Sequence, residues 1–319
     1  MDYRDIIKEN NRIAKEGLQK KNNKGNVMTL IKYNNTRDIL VQFENGKIVK
    51  SSWGLFKRGS IVMPEDRVGQ IKTTNEGYNA KVIEYNSCSD IIVEFQDKWH
   101  SKVHTTWNHF KNGTIKNSYH PNKYGGIVGN TRPTILNNKQ NKEYRAWMNI
   151  LTRCYNPKLH ESHEYYSGCE ICEEWKYYWN FYDWVHEQSN FDKWINGDNW
   201  AVDKDISIKN NKIYSPTTCF LVPQNVNNLL LKADRIRGEL PIGVSFRKSD
   251  LMYEAQCNNP FEGKYVTIGI YNSSKQAFLA YKSYKENIIK KVAENEYQIG
   301  NITKSCYDAL MSHTIDITD

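Results

Sequence analysis

Three places in this 319-residue chain carry side chains whose types and spacing can do chemistry. The first is the polar half of a strand pattern between Gly243 and Ile270. In Gly243-Val244-Ser245-Phe246-Arg247, Val244 and Phe246 fall on one face and Ser245 and Arg247 on the other. Glu254-Ala255-Gln256-Cys257-Asn258 repeats the alternation. Tyr265-Val266-Thr267-Ile268-Gly269-Ile270 adds a third strand, with Val266, Ile268 and Ile270 inward. Ser245, Arg247, Gln256, Asn258, Tyr265 and Thr267 then share the outer face. A polar, partly basic sheet face of this kind can read base edges, because the DNA major groove admits a β-ribbon as well as a helix.

The second place is Asp203-Lys204-Asp205, followed by the asparagines Asn225, Asn227 and Asn228. A lysine is protonated near neutral pH, and adjacent carboxylates keep it so. Lys204 therefore cannot act as a base unless burial lowers its pKa by several units. The third place is Cys169-x-x-Cys172, which has zinc-ligand spacing; Cys154, His160, His163 and Cys219 are the further ligands available. No second CxxC accompanies it, and buried thiols acting as small apolar groups are the competing reading.

Each place needs elements to hold it. Behind the three strands the period changes: Ala277, Tyr281, Tyr284, Ile288 and Val292 recur every three or four residues, which predicts one helix with an apolar stripe. Ser273 and Gln276 form its capping box. Upstream, Tyr144, Trp147, Met148, Leu151 and Tyr155 predict a helix, and Trp175, Tyr178, Phe181, Tyr182 and Val185 a second. Residues 2–21 read as a charged amphipathic helix and Lys20 to Asn26 as a linker. An internal repeat follows, in which Ile31-x-Tyr33-Asn34 and Asp38-Ile39-x-Val41-x-Phe43 recur as Ile83-x-Tyr85-Asn86 and Asp90-Ile91-x-Val93-x-Phe95. The match resumes with Trp53-x-x-Phe56-Lys57-x-Gly59 and Trp107-x-x-Phe110-Lys111-x-Gly113. Asn45-Gly46 marks a hairpin. Two small β-barrels of SH3-like size are the expectation, with Lys50, Lys57, Lys102, His109 and Lys111 as an accessory phosphate-contacting surface. Asn112 to Asn141 lacks either period and reads as an irregular connector.

Composition narrows the class. A net charge of +8 has the right sign for a polyanion partner. No long apolar run is present, so a spanning helix is not expected, and the charged first residues lack a secretory signal's apolar stretch. Seven scattered cysteines do not suggest a disulfide framework and point to a reducing cytoplasm.

Over about fifty residues, Gly243-Val244, Tyr253-x-Ala255, Ile268-Gly269-x-Tyr271 and Ala277-x-x-Ala280-Tyr281 resemble the AP2 DNA-binding domain of plant transcription factors and mobile HNH endonucleases. The resemblance implies that the strand face named above touches DNA. The chain departs from the plant pattern in having fewer arginines and no tryptophan there. About ninety residues before it, including Arg153-Cys154-Tyr155-Asn156-Pro157, Cys169 to Trp175, Trp200 to Ile206, Tyr214 to Cys219 and Pro223 to Asn228, are similar to phage-encoded HNH-type proteins. By that resemblance Asp203 falls near a metal-ligand position and Lys204 on the general-base histidine. Thr218 falls on a structural asparagine, and Asn225, Asn227 or Asn228 on a distal ligand. Asp205 is the substitute base. In active members the histidine takes a proton from water while a divalent metal, Mg2+ or another, stabilises the scissile phosphate. With Lys204 in the base's place, the motif speaks for HNH ancestry more than for present catalysis.

The expected architecture is a multidomain α+β chain. Its parts are an N-terminal helix and linker (1–25), β repeats (26–66 and 67–116), a linker (117–143), an HNH-like ββα domain (144–231), an AP2-like domain (232–300) and a tail (301–319). The expected function is binding of double-stranded DNA by a phage or mobile-element protein inside a bacterial cell. An active metal-dependent endonuclease is the first alternative. A phage product that inhibits a host protein through its N-terminal repeats is the second.

Overall fold

The computed structural model describes residues 13–230 and 240–319. The chain is mixed α and β and divides into two compact units, Met1–His120 and Pro121–Asp319.

In the first unit, β1 (Gln19–Lys21), β2 (Val27–Asn35), β3 (Asp38–Phe43) and β4 (Ile48–Ser51) form an antiparallel sheet in chain order, followed by α1 (Trp53–Arg58). Alternation drives it: Met28, Leu30, Ile39, Val41 and Phe43 are all buried on one face. Ser52 caps α1 by accepting from the Leu55 N–H, and Gly59 ends it at φ 65°, a left-handed conformation that glycine adopts freely. The second repeat follows the same plan with β5 (Ile71–Thr73), β6 (Asn79–Ser87), β7 (Asp90–Phe95), β8 (Lys102–Thr105) and α2 (Trp107–Asn112). Even the register shifts coincide, after Leu30 and Tyr33 in one copy and after Val82 and Tyr85 in the other.

Three expectations need correction here. The sheets are open rather than closed barrels, because after β4 and β8 the chain enters a helix instead of a strand that could join the two edges. The helix expected over 2–21 does not reach its end: Gln19–Lys21 is strand β1, paired with Val27–Thr29, and residues 1–12 lie outside the described residues. The presumed linker from Lys20 is therefore part of the first sheet. The repeat also starts earlier than read. Gly17 donates its N–H to Leu30 O and Gly69 to Val82 O, at φ 89° and 87°, which places Lys15-x-Gly17 and Arg67-x-Gly69 in register.

The connector Asn112 to Asn141 is irregular apart from a hairpin, β9 (Ile135–Leu136) and β10 (Lys139–Gln140). The second unit continues with α3 (Lys142–Tyr155), α4 (Pro157–Ser162), β11 (Glu170–Ile171), α5 (Tyr178–Glu187) and α6 (Phe191–Asn196). Asn141 caps α3, and its stripe buries Trp147, Leu151 and Cys154 against Trp175, Tyr178, Phe181 and Trp194. Trp147 Nε1 donates to Trp175 O at 2.7 Å, so the indole N–H is satisfied inside that aromatic core.

Next come β12 (Trp200–Asp203), β13 (Ile213–Tyr214), β14 (Phe220–Pro223) and α7 (Gln224–Leu229), with β12 and β14 antiparallel and β13 parallel to β11. The last elements are β15 (Val244–Arg247), β16 (Met252–Asn259), β17 (Lys264–Tyr271), α8 (Ser274–Gln298) and α9 (Lys304–Ser312). Ile206, Val222, Val226 and Leu229 share one core with Val244, Ala255, Tyr281, Val292, Cys306 and Leu310. Hydrogen bonds cross the same junction: Asn190 Nδ2 donates to Leu221 O at 2.9 Å and to Asn301 O at 2.8 Å. Residues 301–319, read as a tail, hold α9, with Cys306 and Leu310 fully buried. Among the described residues no helix is long and apolar enough to cross a membrane.

Candidate nucleic-acid interface

Strands β15, β16 and β17 form one antiparallel sheet, and α8 covers one of its faces. Val244, Ala255 and Cys257 are buried beneath the helix residues Ala277, Tyr281, Ile288 and Val292, the stripe the spacing predicts. Ser273 caps α8, its hydroxyl accepting from the Gln276 N–H. Gly243, at φ 75°, lets β15 enter directly against the Tyr281 ring. No residue with a side chain fits there.

Pairing fixes which residues share the outer face. Ser245 lies opposite Glu254, Gln256 opposite Thr267, and Asn258 opposite Tyr265. With Arg247, the six expected residues thus stand together on one side of the sheet. Tyr265 is 75% exposed and is the most prominent of them.

Two of the expected inward positions are corrected. The β16–β17 ladder shifts register between Ala255 and Gln256, Ile268 being the extra residue on β17. Alternation restarts there, so Ile270 pairs with Glu254 on the outer face and is 41% exposed. Phe246 keeps the inner face beside Tyr253, with ring centroids 5.2 Å apart, but lies beyond the helix-covered core and is 43% exposed.

The face is polar rather than uniformly basic. Arg247 Nε sits 3.4 Å from Asp250 Oδ2, and Thr267 Oγ1 donates to Glu254 Oε1 at 2.9 Å. Lys264 pairs with Glu262 at 3.3 Å. These exposed pairs are individually weak, so a phosphate can compete for the cations. Glu254 remains a negative charge in the middle of the surface.

In the middle segment, β12, β14 and α7 make a hairpin followed by a helix. Asp203 is 9% exposed, and its Oδ1 accepts from the backbone N–H groups of Asp205 and Ile206, both at 2.9 Å. Burial pushes its carboxyl pKa up. Lys204 is buried; its ammonium donates to both Asp205 oxygens at 2.8 and 2.7 Å and to Asn211 O at 2.7 Å. All three of its protons are thus engaged. Thr218 Oγ1 donates to Ile213 O. Asn225 Nδ2 donates to Glu296 Oε1 at 2.8 Å, and Asn228 Oδ1 accepts from Gln224 Nε2 at 2.8 Å. Asn227 is half-buried on α7.

Pairing fixes where the hairpin hands over to α7. Asp203 faces Phe220, whereas Pro223, from which α7 starts, faces Trp200 at the other end of the hairpin. Three residues of strand separate these ends, about 10 Å. With Asp203 turned onto backbone amides and Asn225 held by Glu296, this donor set does not fit a divalent metal.

The cysteines are likewise dispersed in role. Cys169 is buried, Cys172 is half-buried, and burial pushes both thiols up. Cys154 is pushed up to about 12. His160 Nε2 lies 2.7 Å from Arg153 O and His163 Nδ1 2.8 Å from Ser162 Oγ. Among the described residues no three His, Cys, Asp or Glu side chains are grouped to hold a metal ion.

Sequence reading missed one arrangement in the first unit. Arg67 stacks on Trp107 and Tyr85, and Lys15 stacks on Tyr33 and Trp53 in the same way. The signal was present, since Lys15 and Arg67 have the same spacing as Tyr33 and Tyr85. Comparison with protein-family models, curated proteins and solved structures returns no match for this chain.

Proposed function

We propose that this chain binds double-stranded DNA through the outer face of β15, β16 and β17, as a non-cleaving relative of HNH endonucleases that carry an AP2-type domain. The observation that carries the reading is the grouping of Ser245, Arg247, Gln256, Asn258, Tyr265 and Thr267 on one exposed sheet face backed by α8. Hydroxyl, amide and guanidinium groups are the donors and acceptors that base edges and phosphates accept, and a rigid sheet holds them in a fixed pattern. The net charge of +8 supplies the sequence-independent attraction. Support for the non-cleaving half comes from Lys204, closed into Asp205 and Asn211, and from Asp203, buried and bonded to backbone amides. Neither group is poised to take a proton from water.

The test is a gel-shift titration of the full chain with duplex DNA across a salt series, run beside a plasmid-nicking assay with Mg2+ or Mn2+. Binding should weaken steeply as salt rises. Arg247→Ala should cost about 1–3 kcal/mol if that side chain reaches a base edge. Unchanged affinity in both Arg247→Ala and Tyr265→Ala would sink the sheet assignment. Rapid metal-dependent cutting would overturn the non-cleaving half.

A further inference from the structure

The two repeats of the first unit meet along a cleft of about 460 Å3 that the sheet reading leaves unused. Ser51, Ser52, Ser60, Ser87, Ser89 and Thr106 line it with six hydroxyls. Arg67 and Lys50 bring positive charge, Leu55 and Val62 an apolar wall, and none of the described lining residues is Asp or Glu. A cleft of this size lies within the usual range for small-ligand sites, roughly 300–1,000 Å3.

Arg67 is positioned by aromatic rings rather than by a carboxylate. Its guanidinium carbon lies 4.0 Å from the Trp107 ring centroid and 4.9 Å from that of Tyr85, and Nη1 is 3.7 Å from Cys88 Sγ. The guanidinium is thus held over the rings and by a weak sulfur acceptor, with no carboxylate among the described residues for an incoming anion to displace. The Lys15 ammonium lies over the matching pair Tyr33 and Trp53 in the first repeat, so a cation over these rings is part of the repeat's structure. What Arg67 has in addition is the cleft. Lys50, 67% exposed, pairs with Asp38 at 3.3 Å, a surface contact that an incoming anion can replace.

We propose that this cleft binds a nucleoside monophosphate unit, with the phosphate on Arg67 and the surrounding hydroxyls and the base against Leu55 and Val62. Cation, hydroxyl rim and apolar wall match the three parts of such a unit, and the absence of a lining carboxylate removes the main repulsion to its charge. The unit can arrive as a free nucleotide or as one residue of a single strand. The site is separate from the β15–β17 face and stands or falls independently of it.

Cys88 supplies the readout, because it lines the cleft and is the exposed one among the free cysteines. The full chain would be labelled with a chromogenic disulfide reagent in the presence of adenosine monophosphate, of a ten-residue thymidine oligonucleotide, or of inorganic phosphate as an ionic control. Adenosine monophosphate should slow Cys88 labelling several-fold, Arg67→Gln should abolish that protection, and Arg67→Lys should retain part of it. Protection by the oligonucleotide at much lower concentration would assign the ligand to a nucleic-acid strand; protection by the mononucleotide alone would assign a free nucleotide. If Arg67→Gln does not fold by circular dichroism, Lys50→Gln decides, with weakened protection expected. Arg247→Ala serves as the control for the other site and should leave the protection intact. Equal labelling rates with and without both nucleotide probes, or protection that persists in a folded Arg67→Gln, would overturn the proposal.

Discussion

The ring of Tyr281 occupies the space that a side chain at Gly243 would need: a Cβ there would lie 2.0 Å from Tyr281 Cδ2. The φ of 75° at Gly243 adds a second reason for glycine. Helix and sheet are therefore closed onto each other at a point with no tolerance. Gly243→Ala should destabilise the second unit by about 1–3 kcal/mol, through backbone strain and overpacking. Thermal unfolding of the full chain checks this, and Gly243→Ala combined with Tyr281→Leu should recover part of the loss. A melting temperature unchanged by Gly243→Ala would show that the contact is not tight.

Glu254 is the carboxylate in the middle of the proposed DNA face. Glu254→Gln keeps an acceptor for Thr267 and removes a charge that repels phosphate. Gel-shift affinity for duplex DNA should rise in this variant, most at low salt, where the screening length is longest. Lower affinity would mean that Glu254 contacts the DNA directly, and unchanged affinity would mean that another surface binds it.

Under the proposed HNH likeness, a histidine placed at position 204 should not create cutting. In Lys204→His the imidazole would enter a buried position beside Asp205 and Asn211, while Asp203 stays turned onto backbone amides. Plasmid nicking with Mg2+ or Mn2+ should remain at background in the wild type and in this variant. Should cutting be seen, Asp203→Ala should abolish it while leaving gel-shift affinity nearly intact. Cutting that survives Asp203→Ala would place the active site elsewhere.

Burial raises the Asp203 pKa, which fixes the sign of a pH effect. The folded state holds this proton more tightly than the unfolded chain does. Asp203's contribution to stability is therefore fully present below the ordinary aspartate value, about 3.9, and is lost as pH rises through the raised folded value. Asp203→Asn keeps an acceptor for the Asp205 and Ile206 amides without the buried charge. Melting temperatures from about pH 4 to pH 8 should fall for the wild type relative to Asp203→Asn as pH rises. A constant difference across that range would contradict the burial argument.

Much of the fold is legible in single strands and helices. Met28, Leu30, Ile39 and Val41 alternate in the letters as they do in the sheet, and Ala277, Tyr281, Ile288 and Val292 fall on one helix face in both. What escaped the letters depends on partners. The outward turn of Ile270 follows from the register between β16 and β17, which neither strand's pattern encodes alone. Strand β1 has no buried alternation, its three residues being exposed, so only pairing with β2 makes it a strand. The open sheets were read as barrels because short alternating segments look the same whether or not their edges meet. At the candidate site, the six outer residues were legible because period 2 assigns faces directly. The engagement of Asp203 with its own turn was not, since a carboxylate that binds metal and one that caps a turn are the same letter.

The hairpin β12–β14, helix α7 and the covered sheet draw on one set of buried side chains, with Ile206, Val226 and Leu229 on one side and Val292, Cys306 and Leu310 on the other. Modules that travel between genes usually bring their interiors with them. Here the three-stranded sheet and the β12–β14 hairpin share one interior, so neither can be exchanged for a foreign counterpart without redesigning the other. Variation in this sheet is thereby channelled to outer positions such as Ser245, Asn258, Tyr265 and Thr267, where letters can change without touching what lies beneath.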